Sequence, residues 1–295
     1  MTLTLAAEDT ALNVTKNDTT IAVTAGETPR LTYRHSDVTF KPYVKTFCTP
    51  SGINVFRDSP HDHIHHHALM YAVAAGGTDF WAEFPQRKHG SQVHEKLSHS
   101  TNAIAEGLTA AVIDGTLNWV TADKETMLTE VRKITVYDAK DLKPSLLTWQ
   151  TELTPGKGKD SVKLTGSSYF GLGMRFVESM DKNGRFFHTG KEEGVPDRGT
   201  LVVTPAKWMA YAAAVNGKPV TVAVFDDPGN PHHPGKFFTM AAPFAYISAT
   251  LNLWKEPLTL EANTTLKLRY GVALWDGEVT AKDVEEVYQK WNALK

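Results

Sequence analysis

Apolar and polar residues alternate along most of this 295-residue chain, and Gly, Asn or Asp interrupts the alternation at short intervals. A period of two is typical of β-strands, because successive side chains point to opposite faces of a sheet. The alternation therefore predicts many short antiparallel strands, for example at 3–9, 20–27, 126–138, 145–155 and 218–227. Turns are expected at Asn216-Gly217, Asp114-Gly115 and Asn183-Gly184.

The last sixteen residues, 280–295, follow a different period. Thr280 and Asp283 have nearly the spacing and residue types of a capping box, which predicts the start of a helix. Apolar residues then recur at helical spacing, at Val284, Val287, Tyr288 and Trp291. This stripe predicts a helix whose apolar face docks on a sheet.

Strand signals run through the whole sequence without a linker, a repeat or a shift in composition. They predict one all-β domain over residues 1–295: a large antiparallel β-sandwich with a C-terminal helix. The net charge of -2 argues against nucleic acid and anionic membranes as partners, and the single Cys48 excludes an intrachain disulfide. The N-terminal residues do not resemble a signal peptide, so a cytoplasmic location is expected, or a periplasmic one if a signal has been removed.

Five histidines lie within residues 61–67, a density that favours a functional site. If this segment is a strand, His63 and His65 share a face about 7 Å apart, and His66 lies on the other face. Such a pair can bind a divalent metal together with a distant third ligand, or it can bind sugar hydroxyls or transfer protons. The sequence leaves the metal and the metal-free alternatives open, and it predicts no organic cofactor.

Further candidates follow the histidines in the chain. Asp79, Trp81 and Glu83 combine carboxylates with an aromatic ring, a combination suited to sugar binding, although a core tryptophan with surface acids also fits. Arg175 and Glu178 follow a pair of glycines on a predicted strand. The remaining candidates are His94, which follows a turn, and three residues of a proline-rich loop, Asn230, His232 and His233.

Together these stretches make the sequence similar to bacterial proteins labelled methane oxygenase PmoA-like. The similarity rests on Asp62-His63-Ile64-His65-His66-His67, then Asp79-Phe80-Trp81, and on 171–175, 205–208, 226–234 and 268–277. Ile64 stands where that family prefers Pro, and His67 and His232 stand where it prefers or often has Arg. The resemblance implies a supersandwich like that of galactose mutarotase and a role beside sugar-oxidising enzymes, not methane oxidation, which needs membrane subunits.

The leading hypothesis is an enzyme of bacterial sugar catabolism that cleaves a glycoside or keto-glycoside by histidine acid–base chemistry. His63, His66, His94, Arg175 and Glu178 are the expected catalytic residues, with Arg175 or a metal stabilising an enolate. The expected sugar-binding residues are Asp79, Trp81, Glu83, Asn230, His232 and His233. The alternatives are a metal-free mutarotase or epimerase, a carbohydrate-binding protein without activity, and an iron oxygenase using His63, His65 and Glu83. The oligomeric state is not predicted.

Overall fold

The computed structural model describes residues 12–84, 87–189 and 203–294, so the strand predicted at 3–9 lies outside the described residues. The strands within these ranges are, in chain order, β1 Leu12–Lys16, β2 Thr20–Ala25, β3 Thr28–Arg34, β4 Tyr43–Phe47, β5 Leu69–Ala72, β6 Ala74–Ala75, β7 Thr78–Asp79, β8 Ser91–Ala105, β9 Leu108–Val120, β10 Thr126–Ala139, β11 Ser145–Pro155, β12 Ser161–Thr165, β13 Gly171–Arg175, β14 Arg185–His188, β15 Val203–Pro205, β16 Trp208–Val215, β17 Lys218–Asp226, β18 Lys236–Met240, β19 Tyr246–Thr250, β20 Leu258–Glu261 and β21 Leu266–Asp276. A 3₁₀ helix covers Glu178–Met180, and the helix α1 covers Ala281–Ala293.

The described strands form three sheets in which neighbouring strands are antiparallel. One sheet has nine strands in the order β1-β2-β3-β4-β5-β13-β19-β18-β15. A second has eight strands in the order β14-β16-β17-β21-β11-β10-β9-β8, and β20-β12-β6-β7 form a smaller third sheet. The two larger sheets contribute to one continuous apolar core, so the predicted antiparallel sandwich is confirmed.

The middle of the eight-stranded sheet is buried on both faces, whereas its edge strand β8 is mostly exposed. Along β21, Tyr270 and Val272 belong to the core between the large sheets, whereas Ala273 and Trp275 belong to a second apolar cluster with α1. The predicted helical stripe is confirmed, since all four of its apolar residues are buried. The capping box of Thr280 and Asp283 is present as well. Within the described ranges, no helix is long and apolar enough to cross a membrane.

Two of the local predictions had different outcomes. Asn216 and Gly217 both have positive φ, of 49° and 82°, and join β16 to β17 as a two-residue hairpin, as predicted. The turn predicted at Asp114-Gly115 is wrong, because both residues lie within β9. Gly115 is needed there for another reason: a Cβ at this position would collide with the carbonyl oxygen of Lys96 on the neighbouring strand.

Candidate functional site

A cleft of about 570 Å³ opens between the histidine segment, residues 79–84, Arg87 and the ends of β18 and β19. Its wall is rich in histidine and aromatic side chains. The lining residues are His63, His65, His66, Asp79, Trp81, Ala82, Phe84, Arg87, Tyr169, Phe170, Phe238, Met240, Pro243, Phe244 and Tyr246. The size and the mixed lining are typical of pockets for small molecules.

The histidine segment does not form a strand, which was the condition for the expected alternation of its faces. Residues 61–66 form two successive turns, in which the N–H of His63 donates to the carbonyl of Pro60 and the N–H of His66 donates to that of His63, both at 2.9 Å. Ser59 and Ala68, at the two ends, have positive φ. Strand β5 begins only at Leu69, so the alternation of faces inferred for a strand does not apply.

These turns bring three imidazole rings together on the cleft wall. The ring centroid of His66 lies 4.6 Å from that of His63, in a stacked arrangement, and 4.6 Å from that of His65, edge to face. Burial lowers the pKa of His66 to about 2, and burial together with the charge of Lys41 lowers the pKa of His65 to about 4. His65 and His66 are therefore neutral near pH 7, and each ring has one donor and one acceptor nitrogen.

His63 contacts the carboxylate of Asp62, which in turn contacts the guanidinium of Arg175. His63 Nδ1 lies 3.1 Å from Oδ2 of Asp62, and the same oxygen accepts a hydrogen bond of 3.2 Å from Nη2 of Arg175. Partial desolvation raises the pKa of Asp62, but His63 and Arg175 outweigh it and hold this pKa at about 2. Asp62 is thus a carboxylate at neutral pH that is placed to orient the imidazole of His63.

Arg175 itself is covered. Its side chain is 2% exposed, and its guanidinium lies 3.5 Å from the centroid of the Phe244 ring. Arg175 ends β13, but the prediction that Glu178 lies on the same strand is wrong. Glu178 begins the 3₁₀ helix, is 79% exposed and contacts Arg57 at 3.4 Å. Neither Arg175 nor Glu178 is among the residues that line the cleft.

The base of the cleft is aromatic. Trp81 is 1% exposed and stacks on Phe170 with centroids 5.1 Å apart. Tyr246 lies beside it, with its centroid 5.1 Å from that of His66. Both rings cover Gly173, where a Cβ would collide with Tyr246 Oη and Trp81 Cη2. At Gly173, the groups that approach the backbone closely are these two side chains.

The two carboxylates predicted to bind sugar already have partners within the protein. Asp79 lines the cleft, but its Oδ1 accepts hydrogen bonds from the backbone N–H of Trp81 and of Ala82. Glu83 lies beyond the histidine segment and forms a buried ion pair with Lys41. Its carboxylate also contacts Nε2 of His67 at 2.9 Å. Of the three predicted residues, Asp79 and Trp81 line the cleft and Glu83 supports it from outside.

His67 faces away from the other histidines into a second cleft of about 480 Å³, which Glu83 also lines. Its Nδ1 lies 3.1 Å from Oδ1 of Asp58, and its ring stacks on Tyr43. Burial opposes a charge on His67, but hydrogen bonds to Asp58 and Glu83 outweigh it and raise the pKa of His67. The ring therefore bridges two carboxylates and has both nitrogens occupied.

His94 does not complete the cleft. It lies on β8, where its Nε2 shares a 2.9 Å hydrogen bond with Tyr33 Oη and its Nδ1 lies 3.3 Å from the carbonyl of Lys96. Burial, with a contribution from the charge of Arg132, lowers the pKa of His94 to about 4. These contacts give His94 a structural role between two strands of different sheets.

The proline-rich loop is also held by internal contacts. Asn230 donates to Oδ1 of Asp226 at 2.7 Å and accepts from the backbone N–H of Arg269 at 2.8 Å. His233 Nδ1 lies 2.7 Å from the other Asp226 oxygen. His232 is half exposed and faces Glu256 at 3.7 Å. None of the three lines the cleft, and the expectation that this loop completes the site is not met.

Among the described residues, the predicted metal pair of His63 and His65 has no third ligand. Within residues 12–84, 87–189 and 203–294, no group of three or more His, Cys, Asp or Glu side chains is arranged to hold a metal ion. The rings of His63 and His65 are 5.7 Å apart and tilted by 55°. The donor set of the described residues therefore does not fit a metal ion.

Asp62 was not predicted as the partner of His63, and most of the aromatic wall was not predicted either. The missed lining residues include Phe84, Tyr169, Phe170, Phe238, Phe244 and Tyr246. One sequence feature could have indicated the aromatic wall: the pair Tyr169-Phe170 stands directly before the glycine pair of 171–175.

A family model matches residues 20–289, which is nearly the whole chain. The chain belongs to the family of unknown function DUF6807. That family's description gives no activity, and the methane oxygenase PmoA-like resemblance stays a prediction. No curated protein matches the sequence significantly.

Several solved structures share the fold of this DUF6807 protein. The galactosidase domain of the alpha-galactosidase–sucrose kinase AgaSK has a TM-score of 0.55 at 10% identity, over 90% of this chain and 42% of that chain. The alpha-galactosidase from Lactobacillus brevis has a TM-score of 0.51 at 8% identity, over 90% and 39%. This chain thus spans about two fifths of those proteins, and the likeness concerns the fold alone. A protein provisionally named an aldose 1-epimerase, from Escherichia coli K12, matches over 90% of this chain and 99% of its own, but its TM-score of 0.39 supports no conclusion.

Proposed function

We propose that this protein is a carbohydrate-active enzyme whose active site is the histidine–aromatic cleft. The single observation that carries the proposal is the cluster of His63, His65 and His66 on the wall of a cleft with an aromatic base. Aromatic rings pack against the apolar face of a sugar, and neutral imidazoles both donate to and accept from hydroxyl groups. The galactosidases that share the fold are consistent with a sugar ligand.

His63 is the proposed general base, because it is the cleft histidine with a carboxylate directly behind it. Asp62 Oδ2 lies 3.1 Å from Nδ1 without hydrogen-bond geometry, and the charge of the carboxylate favours a proton on Nδ1 and leaves Nε2 as the acceptor. Arg175 keeps Asp62 ionised from the buried side. Asp62 and Arg175 are therefore positioning residues, and the earlier assignment of Arg175 to an enolate oxygen is replaced by this role.

The proposed reaction is the cleavage of a glycoside that carries a ketone on its sugar ring. His63 removes the proton on the carbon next to the carbonyl, and the electron pair of that C–H bond forms an enolate. The carbonyl then re-forms, a double bond forms between the deprotonated carbon and the neighbouring anomeric carbon, and the glycosidic C–O bond breaks with its electron pair on the departing oxygen. The His63 imidazolium returns the proton to the departing oxygen, so the histidine ends the cycle neutral.

Ordinary glycoside hydrolysis is less well supported by this site. It uses two carboxylic acid groups that flank the scissile bond. Among the described residues that line the cleft, Asp79 is the one carboxylate, and one of its oxygens is engaged by two backbone N–H groups. Histidine chemistry matches the groups that face the ligand.

The test is product analysis by NMR on a panel of glycosides and the matching 3-keto-glycosides. The proposal expects release of the aglycone from a keto-glycoside by the wild-type protein and by His61→Ala, a control at an exposed position outside the cleft lining. Conversion between anomers of free sugars without release of any aglycone would replace the proposal with the mutarotase alternative. No binding and no turnover of any sugar in the panel would overturn it.

A further inference from the structure

Three polar groups at the base of the cleft are buried without a partner. Among the residues that the structure describes, Tyr246 Oη, Trp81 Nε1 and His66 Nδ1 have no hydrogen-bond partner. The three residues are 2%, 1% and 6% exposed, and all three line the cleft. Native proteins pair nearly all buried polar atoms, so three in one place make this part of the cleft a candidate binding site for a polar ligand group.

The three side chains form one compact group. The ring of His66 lies 5.1 Å from that of Tyr246 and 6.3 Å from that of Trp81, and the Tyr246 and Trp81 centroids are 6.5 Å apart. Gly173 lies beneath both Tyr246 and Trp81, and it permits this packing because any Cβ would collide with them. The three rings are therefore close neighbours at the base of the cleft.

The chemistry of the three groups selects the kind of oxygen. An indole N–H can donate but cannot accept, and a tyrosine hydroxyl donates readily. His66 donates as well when its proton is on Nδ1. A carbonyl oxygen has two lone pairs and no proton, so it matches two or three donors better than a sugar hydroxyl does. Donors placed around such an oxygen also stabilise the negative charge that develops on it in an enolate.

We infer that Tyr246 and Trp81, with His66, form a binding subsite for the carbonyl oxygen of an oxidised sugar. This inference rests on the proposed function and deepens it, since it selects keto-sugars over their parent sugars as the ligand class. Removal of the proton by His63 then leaves the enolate oxygen among donors that are already in place. Tyr246 and Trp81 thereby determine specificity in addition to forming the base of the cleft.

The binding test compares methyl 3-keto-glucoside with methyl glucoside by calorimetry. The wild-type protein is expected to bind the keto-sugar more tightly. Tyr246→Phe and Trp81→Phe are expected to reduce this preference about tenfold, the usual effect of one lost hydrogen bond to a ligand. Tyr288→Phe, whose hydroxyl donates to the carbonyl of Asp226 outside the cleft, is expected to keep the preference. An unchanged preference in Tyr246→Phe and Trp81→Phe overturns the subsite and leaves the proposed function standing, whereas no binding of either sugar overturns both.

A stability measurement tests the subsite without a sugar. Tyr211 provides the comparison, because its buried hydroxyl donates to the carbonyl of Met180 at 2.5 Å. Tyr211→Phe loses this bond and is expected to lower the Tm of the protein. Tyr246→Phe removes a hydroxyl that has no partner among the described residues, so its Tm should equal or exceed that of the wild type. A fall in Tm for Tyr246→Phe as large as that for Tyr211→Phe would show a hydroxyl used within the protein and would overturn the subsite.

Discussion

His67 and Glu83 join the two chain segments that enclose the cleft: Nε2 of the imidazole lies 2.9 Å from the carboxylate. His67 ends the histidine segment, and Glu83 belongs to the segment that carries Trp81. His67→Ala leaves a buried carboxylate with Lys41 as its remaining charged partner, and we expect a loss of about 2–3 kcal/mol in the free energy of unfolding. Urea denaturation measures this, with His61→Ala as a control that should lie within about 0.5 kcal/mol of the wild type. Equal stabilities of both variants would show that the contact does not hold the segments together.

His94 is expected to make the protein sensitive to mild acid. Its folded-state pKa of about 4 lies below the ordinary value of 6.5, so on acidification the unfolded chain takes up the proton first. Stability from this group is intact above pH 6.5 and falls as the pH drops towards 4, by about 2 kcal/mol between pH 7.5 and pH 5. Unfolding of the wild type and His94→Gln at both pH values measures the difference, with His99→Gln on the exposed part of the same strand as the control. The same loss of stability in His94→Gln as in the wild type would contradict the assignment.

Gly173 and Tyr246 are expected to be energetically coupled. A Cβ at residue 173 collides first with Tyr246 Oη, so Gly173→Ala should destabilise the protein by about 1–3 kcal/mol. Tyr246→Phe removes the atom that is struck, and the double variant should therefore be more stable than the sum of the two single effects predicts. A double-mutant cycle of unfolding free energies measures the coupling. Additive effects would show that the tyrosine hydroxyl does not lie over this glycine.

The parts of the fold that local patterns determine were predictable. Helix α1 follows from its capping residues and from four apolar residues at helical spacing, all of which are buried. The hairpin at Asn216-Gly217 follows from two residues that tolerate positive φ. The Asp114-Gly115 pair has a similar turn signal but is overridden, because the long strands on both sides of β9 pair with it through these residues.

The candidate site was predictable only in part, because its geometry depends on contacts between distant residues. Histidines at alternate positions resemble the pattern of a strand. No alternating apolar residues fix a buried face in this segment, and a turn begins at Pro60 instead. The contact of Arg175 with Asp62 joins residues 113 positions apart. The sequence does not reveal such partners, nor that Asp226 holds Asn230 and His233 away from the cleft.

Asp62 is expected to support catalysis without binding the sugar. Asp62→Asn removes the charge that orients His63 and pairs with Arg175, so kcat on a keto-glycoside should fall about 10- to 100-fold while KM stays within a factor of about three. Asp37→Asn, at a side chain that is 78% exposed, is the matched control and should keep the wild-type kcat. Steady-state kinetics separates the two constants. A change confined to KM would assign Asp62 to substrate binding and contradict the positioning role.

The most direct test of the cleft as an active site is the rate of aglycone release from nitrophenyl 3-keto-glucoside by the wild-type protein and His63→Ala. The base proposed here lies on the cleft wall with Asp62 behind it, and loss of a general base typically lowers a rate by about 10²–10⁴. We predict a loss of at least about a hundredfold in His63→Ala, with His61→Ala at the wild-type rate. Equal rates in all three proteins would contradict the account, because the chemistry would then lie outside the histidine cluster.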